Sequence, residues 1–264
     1  MAENGAETRN ETVKVSGTDL SIVRGGTGRP LLVLHDELGY PGWMNWNQAL
    51  ARNHSQIIPM HPGFGVTPEP HWIRNVRDLA GFYSIFLNDQ KLVPIDVIGF
   101  SIGGWIAAEM AAANPGQFRR MILVAPDGIK PSLGEITDMF QLMAPDQLQA
   151  SVLDPTDTPE FGTLYGGMRP EAFELMEQAR AQTARLAWQP FMYNPSLAFL
   201  LAIVTSLPTL IIWGEQDRMV PVAAAEDYRR AIRGAKVVKF DRCGHRPEIE
   251  KAAEFIRETE TFLA

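Results

Sequence analysis

The stretch that decides the fold is Gly99-Phe100-Ser101-Ile102-Gly103, within Pro94-Ile-Asp-Val-Ile-Gly-Phe-Ser-Ile-Gly-Gly-Trp-Ile-Ala-Ala-Glu-Met-Ala-Ala-Ala113. The run from Ile95 to Ile98, apolar and β-branched apart from Asp96, reads as a buried strand. Ile102 to Ala113 is Ala-rich with strong helix propensity, and Asn114-Pro115 stops it because proline cannot extend the hydrogen-bond ladder. A serine therefore sits at the apex of a strand–turn–helix unit, the context a G-x-S-x-G match requires. Small neighbours suit an apex with a strained backbone and a helix packed close to its strand. The turn also aims the N–H after the serine, and the helix N-terminus, at any negative charge forming there.

Working outward, strands alternate with helices. Thr12–Ser16 and Leu20–Arg24, joined by Gly17-Thr18-Asp19, read as a β-hairpin. Leu31–Leu34, Gln56–Pro59, Arg120–Val124, Pro208–Trp213 and Lys236–Phe240 read as further strands. Helices are expected over Trp46–Asn53, Arg74–Asn88, Val222–Ile232 and Pro247 to the end. This alternation predicts an α/β fold with a mostly parallel central sheet flanked by helices. The rhythm breaks over residues 129–207, where Met- and aromatic-rich helical segments such as Glu135–Met143 and Arg169–Ala187 contain no convincing strand. The expected organisation is a disordered tail over 1–11, a core of 12–128 and 208–264, and a helical cap, or lid, over 129–207.

Bulk properties exclude several classes. The 264 residues are 45% hydrophobic and 21% charged, ordinary for a globular enzyme. A net charge of -7 and the lack of a Lys/Arg cluster argue against nucleic acid and anionic membrane surfaces as partners. One cysteine, Cys243, cannot form an intrachain disulfide, and no Cys/His set has metal-site spacing. Met1–Thr12 is polar and does not resemble a signal peptide, and no apolar run approaches the roughly 20 residues of a membrane helix. Gly25-Gly26-Thr27-Gly28 precedes a strand rather than a helix, so it is no phosphate cradle. The expectation is a cytoplasmic protein with a small-molecule substrate and neither metal nor cofactor, with a homodimer left open.

A serine hydroxyl needs an adjacent base, itself oriented by a third group. Of the five histidines, His245 follows the last strand in a Gly-His turn at the carboxyl edge of the sheet, the edge that also carries Ser101. His35 and His61 lie in tight loops, and His54 and His71 read as surface residues. Asp217, just beyond Leu210–Trp213, is the expected orienting acid, with Asp127 after the preceding strand as runner-up.

Together Leu-Val-Leu-His35, His-Pro-Gly-Phe-Gly65, Gly-Phe-Ser101-Ile-Gly-Gly, Trp-Gly-Glu-Gln-Asp217 and Cys-Gly-His245 resemble the α/β-hydrolase superfamily, specifically its lidded esterases, lactonases and carbon–carbon bond hydrolases. The resemblance spans about residues 12–262, with the cap matching in position and character only. It implies Ser101 as nucleophile, His245 as general base and acid, Asp217 as orienter, and an oxyanion hole from the N–H groups of Ile102 and Glu37. A serine here also sets the chain apart from relatives that open epoxides or carbon–halogen bonds with an aspartate.

One departure stands out. Where the family has His-Gly, this chain has His35-Asp36-Glu37. Two carboxylates there would oppose a developing oxyanion unless they point to solvent or cap a neighbouring segment. The other readings are that one binds a substrate hydroxyl or amine, or that the oxyanion hole is damaged. Asp36, Phe100, Trp105, Met139, Phe140, Met143, Trp188 and Met219 are the candidate pocket residues, and Arg169, Arg180 or Arg185 of the cap could meet a substrate carboxylate. The function expected is a serine hydrolase acting on an ester, thioester or lactone of a small, largely apolar compound. The alternatives are a diketone hydrolase on the same triad and a receptor-like binding protein with little turnover.

Overall fold

The computed structural model describes residues 7–167 and 169–264. A hairpin of β1 (Thr8–Val15) and β2 (Thr18–Gly25) leads into β3 (Arg29–Leu34), α1 (Asn45–Leu50), β4 (His54–Pro59), α2 (Val76–Asp89), β5 (Ile95–Phe100), α3 (Ile102–Ala113) and β6 (Phe118–Val124). Then come α4 (Ala144–Ala150), α5 (Pro170–Ala187) and α6 (Leu197–Leu200), followed by β7 (Thr209–Gly214), α7 (Ala223–Ala231), β8 (Lys236–Phe240), α8 (Pro247–Glu250) and α9 (Ala252–Leu263). One eight-stranded sheet runs in the order β1-β2-β4-β3-β5-β6-β7-β8. The pairs β1–β2 and β2–β4 are antiparallel and all others parallel, as the alternating pattern predicts.

Strand side chains alternate between two cores. Leu32, Leu34, Ile95 and Val97 join the core under α2 and α3, while Leu31, Val33, Ile98 and Phe100 join the one under α1 and α9. With both faces covered, β5 is buried at every residue, which is why all of it but Asp96 is apolar or glycine. Every residue of α3 except Ala113 is buried. A Cβ on Gly103 would stand 2.2 Å from the Leu34 carbonyl oxygen, and one on Gly99 2.4 Å from that of Gly103. Only glycine lets β3, β5 and α3 approach this closely.

Four expectations need correction. The tail expected to end at residue 11 lies in part, over 1–6, outside the described residues, but Thr8–Glu11 belong to β1, paired with Ile22–Gly25. Ladder pairing and the Arg24–Glu11 ion pair outweigh the polar composition there. The helix expected over Glu135–Met143 is a single 3₁₀ turn at Met139–Gln141. Its backbone is used elsewhere: Thr137 N–H donates to the Met219 carbonyl at 2.9 Å, tying the segment to the loop after β7. The last helix breaks at Lys251 into α8 and α9. His54, expected at the surface, is 4% exposed at the start of β4.

Between β6 and β7 the described residues add no strand to the sheet. The loops after β3, β5, β6, β7 and β8 all leave the carboxyl edge, bringing His35–Glu37, Ser101, Asp127, Asp217 and His245 to one side of the molecule. No helix among the described residues is long and apolar enough to cross a membrane.

Candidate active site

Ser101 occupies the sharp turn between β5 and α3 with φ 50° and ψ -118°, a conformation that costs an L-residue strain and that packing must enforce. The Gly99 and Gly103 approaches supply that enforcement. The serine is 4% exposed. No acceptor among the described residues takes the N–H of Ile102 or of Glu37, whereas Leu38 N–H donates to Asp36 Oδ1 at 2.8 Å.

His245 Nδ1 meets Asp217 Oδ2 at 2.7 Å. Asp217 is itself fixed by Trp213 Nε1, 2.9 Å from Oδ2, and by the N–H groups of Met219 and Val220 at 2.8 and 3.0 Å from Oδ1. Burial pulls the imidazole pKa down, but Asp217, Glu37 and Asp127 outweigh it and raise it to about 9. Ser101 Oγ donates not to His245 but to Asp127 Oδ2, at 2.9 Å. Asp127 N–H donates to the Ser101 carbonyl at 3.3 Å, and Tyr228 Oη donates to the Asp127 carbonyl. Burial, then the Glu37 carboxylate, pushes the Asp127 carboxyl up to about 7, against the opposing pull of His245 and the Ser101 hydroxyl.

A cavity of about 210 Å³ brings Ser101, His245, Glu37 and Asp127 together with Met139, Met192 and Met219. Of the predicted pocket residues, only Met139 and Met219 line it. Phe100 points to the opposite side of its strand, stacking near Trp46 and Phe255 at centroid distances of 5.1 and 6.1 Å, and lines a separate apolar cavity with Asp36. Trp105 turns along α3 to donate from Nε1 to Glu109 Oε1 at 3.1 Å. Phe140 and Trp188 cluster with Phe191, and Trp188 and Met143 are 57% and 63% exposed.

Asp36 and Glu37 do not face solvent, being 4% and 1% exposed. Asp36 Oδ2 accepts from Arg246 Nη1 at 2.7 Å and from Tyr165 Oη at 2.6 Å. Arg246 also donates to Tyr165 Oη and Ser151 Oγ. Glu37 Oε1 accepts from Gln147 Nε2 at 2.8 Å, and its carbonyl from Thr183 Oγ1 at 3.1 Å. Residues of α4 and α5 are thus bonded directly to the loop after β3. Arg246, Tyr165, Gln147 and Thr183 escaped the sequence reading. Arg246, adjacent to His245, was the one with a visible signal; the rest come from a segment with no motif.

His35 and His61 form a neutral buried pair with ring centroids 3.7 Å apart. Burial lowers the His35 pKa to about 4 and that of His61 well below its ordinary value. His61 N–H donates to His35 Nε2 at 3.1 Å, so the pair braces two loops.

A serine at a strand–helix elbow, sharing a cavity with a histidine from the loop after β8 that is paired to an aspartate from the loop after β7, is the arrangement of the hydrolase class of α/β proteins. The model of the alpha/beta hydrolase family matches residues 31–258, and the chain belongs to that family. It is 26% identical to 2-hydroxymuconate semialdehyde hydrolase of Pseudomonas sp. (strain CF600), across 99% of this chain and 96% of the relative. Against pyrrolizixenacetamide deacetylase of Xenorhabdus hominickii, identity is 25%, across 95% of this chain and 97% of the relative. Among solved structures, a putative lipase from Acinetobacter baumannii AYE superposes with a TM-score of 0.82 at 28% identity, covering 97% of this chain and 91% of that one.

Proposed function

We propose that this hydrolase is a serine enzyme that cleaves a small ester, thioester or lactone through Ser101, His245 and Asp217. The observation that carries the reading is the strained Ser101 apex sharing one cavity with a histidine already paired to a buried aspartate. The serine hydroxyl turns from Asp127 to His245 Nε2, gives up its proton there and attacks the substrate carbonyl. The resulting oxyanion lies between the N–H groups of Ile102 and Glu37, each worth a few kcal/mol of transition-state stabilisation. Collapse expels the alcohol or thiol, protonated by His245, and leaves an acyl-serine. Water, deprotonated by His245, then releases the acid and restores Ser101.

Residues 129–207 act in this reading as a lid, with Gln147 and Thr183 holding Glu37 from above. The likeness to pyrrolizixenacetamide deacetylase supports removal of a short acyl group as one form of this reaction. Carbon–carbon hydrolysis of a diketone-like substrate is the second reading, favoured by the likeness to the semialdehyde hydrolase.

Fluorophosphonate labelling read by intact mass tests the proposal. One adduct is expected on the wild type, none on Ser101→Ala and strongly slowed formation on His245→Ala. No adduct on a folded wild type would overturn it and leave a binding protein on a hydrolase fold.

A further inference from the structure

The cavity at Ser101 is acidic in a way the hydrolytic reaction does not require. Glu37 and Asp127 are each 1% exposed and line it. Glu37 Oε1 is taken by Gln147 and Asp127 Oδ2 by Ser101, but Glu37 Oε2 and Asp127 Oδ1 are buried with no hydrogen-bond partner among the described residues. A buried carboxylate oxygen left unpaired is costly, so both atoms favour a donor, above all a charged one.

Charge within the site does not cancel. Asp217 is committed to His245, and Asp36 is matched by Arg246. Even with His245 as imidazolium, three carboxyl groups surround one cation. No lysine or arginine lines the cavity. The cap arginines are used elsewhere: Arg180 on Gln147, Glu177 and the carbonyls of Met139 and Leu142, and Arg185 on Gln182, Glu69 and the Ile73 carbonyl. Among the described residues, no three His, Cys, Asp or Glu side chains converge to hold a metal ion, and the two orphan oxygens suit the N–H donors of an organic cation.

We propose that the substrate cleaved at Ser101 carries a protonated amine close to its scissile carbonyl, received by Glu37 Oε2 and Asp127 Oδ1. The inference rests on the serine-hydrolase reading and narrows it to cationic esters. Met139, Met192 and Met219 pack around the carbon atoms flanking the ammonium, and a substrate carboxylate in the same place would be repelled.

Three acetates of matched size test this at neutral pH: 2-(dimethylamino)ethyl acetate, its uncharged isostere 3-methylbutyl acetate, and the anionic 3-acetoxypropanoate. The expected kcat/KM for the cation exceeds that for the isostere by about 10- to 100-fold, the span of a charge-assisted hydrogen bond, with the anion slowest. Glu37→Gln and Asp127→Asn each bring the cation-to-isostere ratio toward one, and that ratio is internal to each variant. Equal or faster cleavage of the isostere by the wild type would overturn the cation proposal while leaving the serine hydrolase standing. Should none of the acetates turn over, protection of Ser101 against the fluorophosphonate reads the same preference. Dimethyl(3-methylbutyl)amine should then protect and 4-methylpentanoate should not, and equal protection overturns the proposal. Absence of any adduct removes the serine-hydrolase reading and this inference with it.

Discussion

Ser101 Oγ donates its hydrogen bond to Asp127 Oδ2 at 2.9 Å, although His245 lines the same cavity. The proposed nucleophile is thus held by a carboxyl group from the loop after β6, while the proposed base is held by one from the loop after β7. Attack requires the hydroxyl to leave the first for the second. A hydrogen bond to a charged acceptor is worth about 1.5–3 kcal/mol, so that departure slows activation of the serine. Asp127→Ala is expected to label with a fluorophosphonate up to about tenfold faster than wild type at pH 8. Slower labelling of a folded Asp127→Ala would instead make Asp127 a base for Ser101.

Asp127 also makes stability depend on pH. Its folded pKa of about 7 lies above its ordinary value of 3.8. Between those values the unfolded chain releases a proton that the folded one keeps, so this residue costs stability progressively as pH rises from about 4 to 7, and a constant amount above. Asp127→Asn removes the cost. The Tm of Asp127→Asn relative to wild type is expected to climb from pH 4 to pH 7 and then level off. A difference that stays flat across that range refutes the assignment.

The buried Asp36–Arg246 pair yields a stability prediction of another kind. Both side chains are nearly inaccessible, at 6% and 3% exposed, and Tyr165 and Ser151 complete their hydrogen bonds. Removing one partner strands the other charge, so Arg246→Met should destabilise by about 3–5 kcal/mol in denaturant unfolding. Asp36→Asn combined with Arg246→Met should recover at least half of that loss, because the Asp36 charge is gone and the neighbouring Glu248, its carboxyl already pushed up to about 7 by burial, can take up a proton. A double variant as unstable as the sum of the singles would show that the pair is not coupled.

The fold was legible because the sheet carries its own code. Ile95–Phe100 is apolar apart from Asp96 since both its faces are covered, and α3 runs from Ile102 to Ala113, as its composition and the Asn114-Pro115 stop require. The His245–Asp217 contact could be anticipated because each residue ends a strand of known order. What lay hidden is tertiary. Asp36 and Glu37 looked solvent-facing by chemistry alone, yet their partners Arg246, Tyr165 and Gln147 come from 110 to 210 positions away. The aromatic residues of the cap gave no period that separates a cavity wall from a packed cluster, so Phe140, Trp188 and Met143 were misplaced while Met192 went unnoticed.

Asp217 controls both the tautomer and the charge of His245. Accepting at 2.7 Å from Nδ1, it leaves Nε2 free to receive the serine proton. Asp217→Asn preserves the shape but presents an amide to the imidazole, and the expected loss in kcat/KM for a neutral ester is about 10³–10⁴-fold. A loss below tenfold would point to another orienting acid.

The acid side of the pH–rate profile should belong to His245. As the proposed general base it would work only when neutral, and against the opposing effect of burial Asp217, Glu37 and Asp127 together raise its pKa to about 9. For a neutral ester, kcat/KM is therefore expected to rise through about pH 9 and to be low at neutral pH. Glu37→Gln takes away one of the charges that stabilise the imidazolium, so its profile should move down by about one pH unit while Asp217 continues to hold the ring. A cationic substrate seated against Glu37 and Asp127 would oppose the same proton and shift the kcat profile in the same direction without any mutation. Matching downward shifts from Glu37→Gln on a neutral ester and from the cationic ester on wild type would tie the acidic cavity to the base. A profile in Glu37→Gln unmoved from about pH 9 would show that the Glu37 carboxylate does not act on His245.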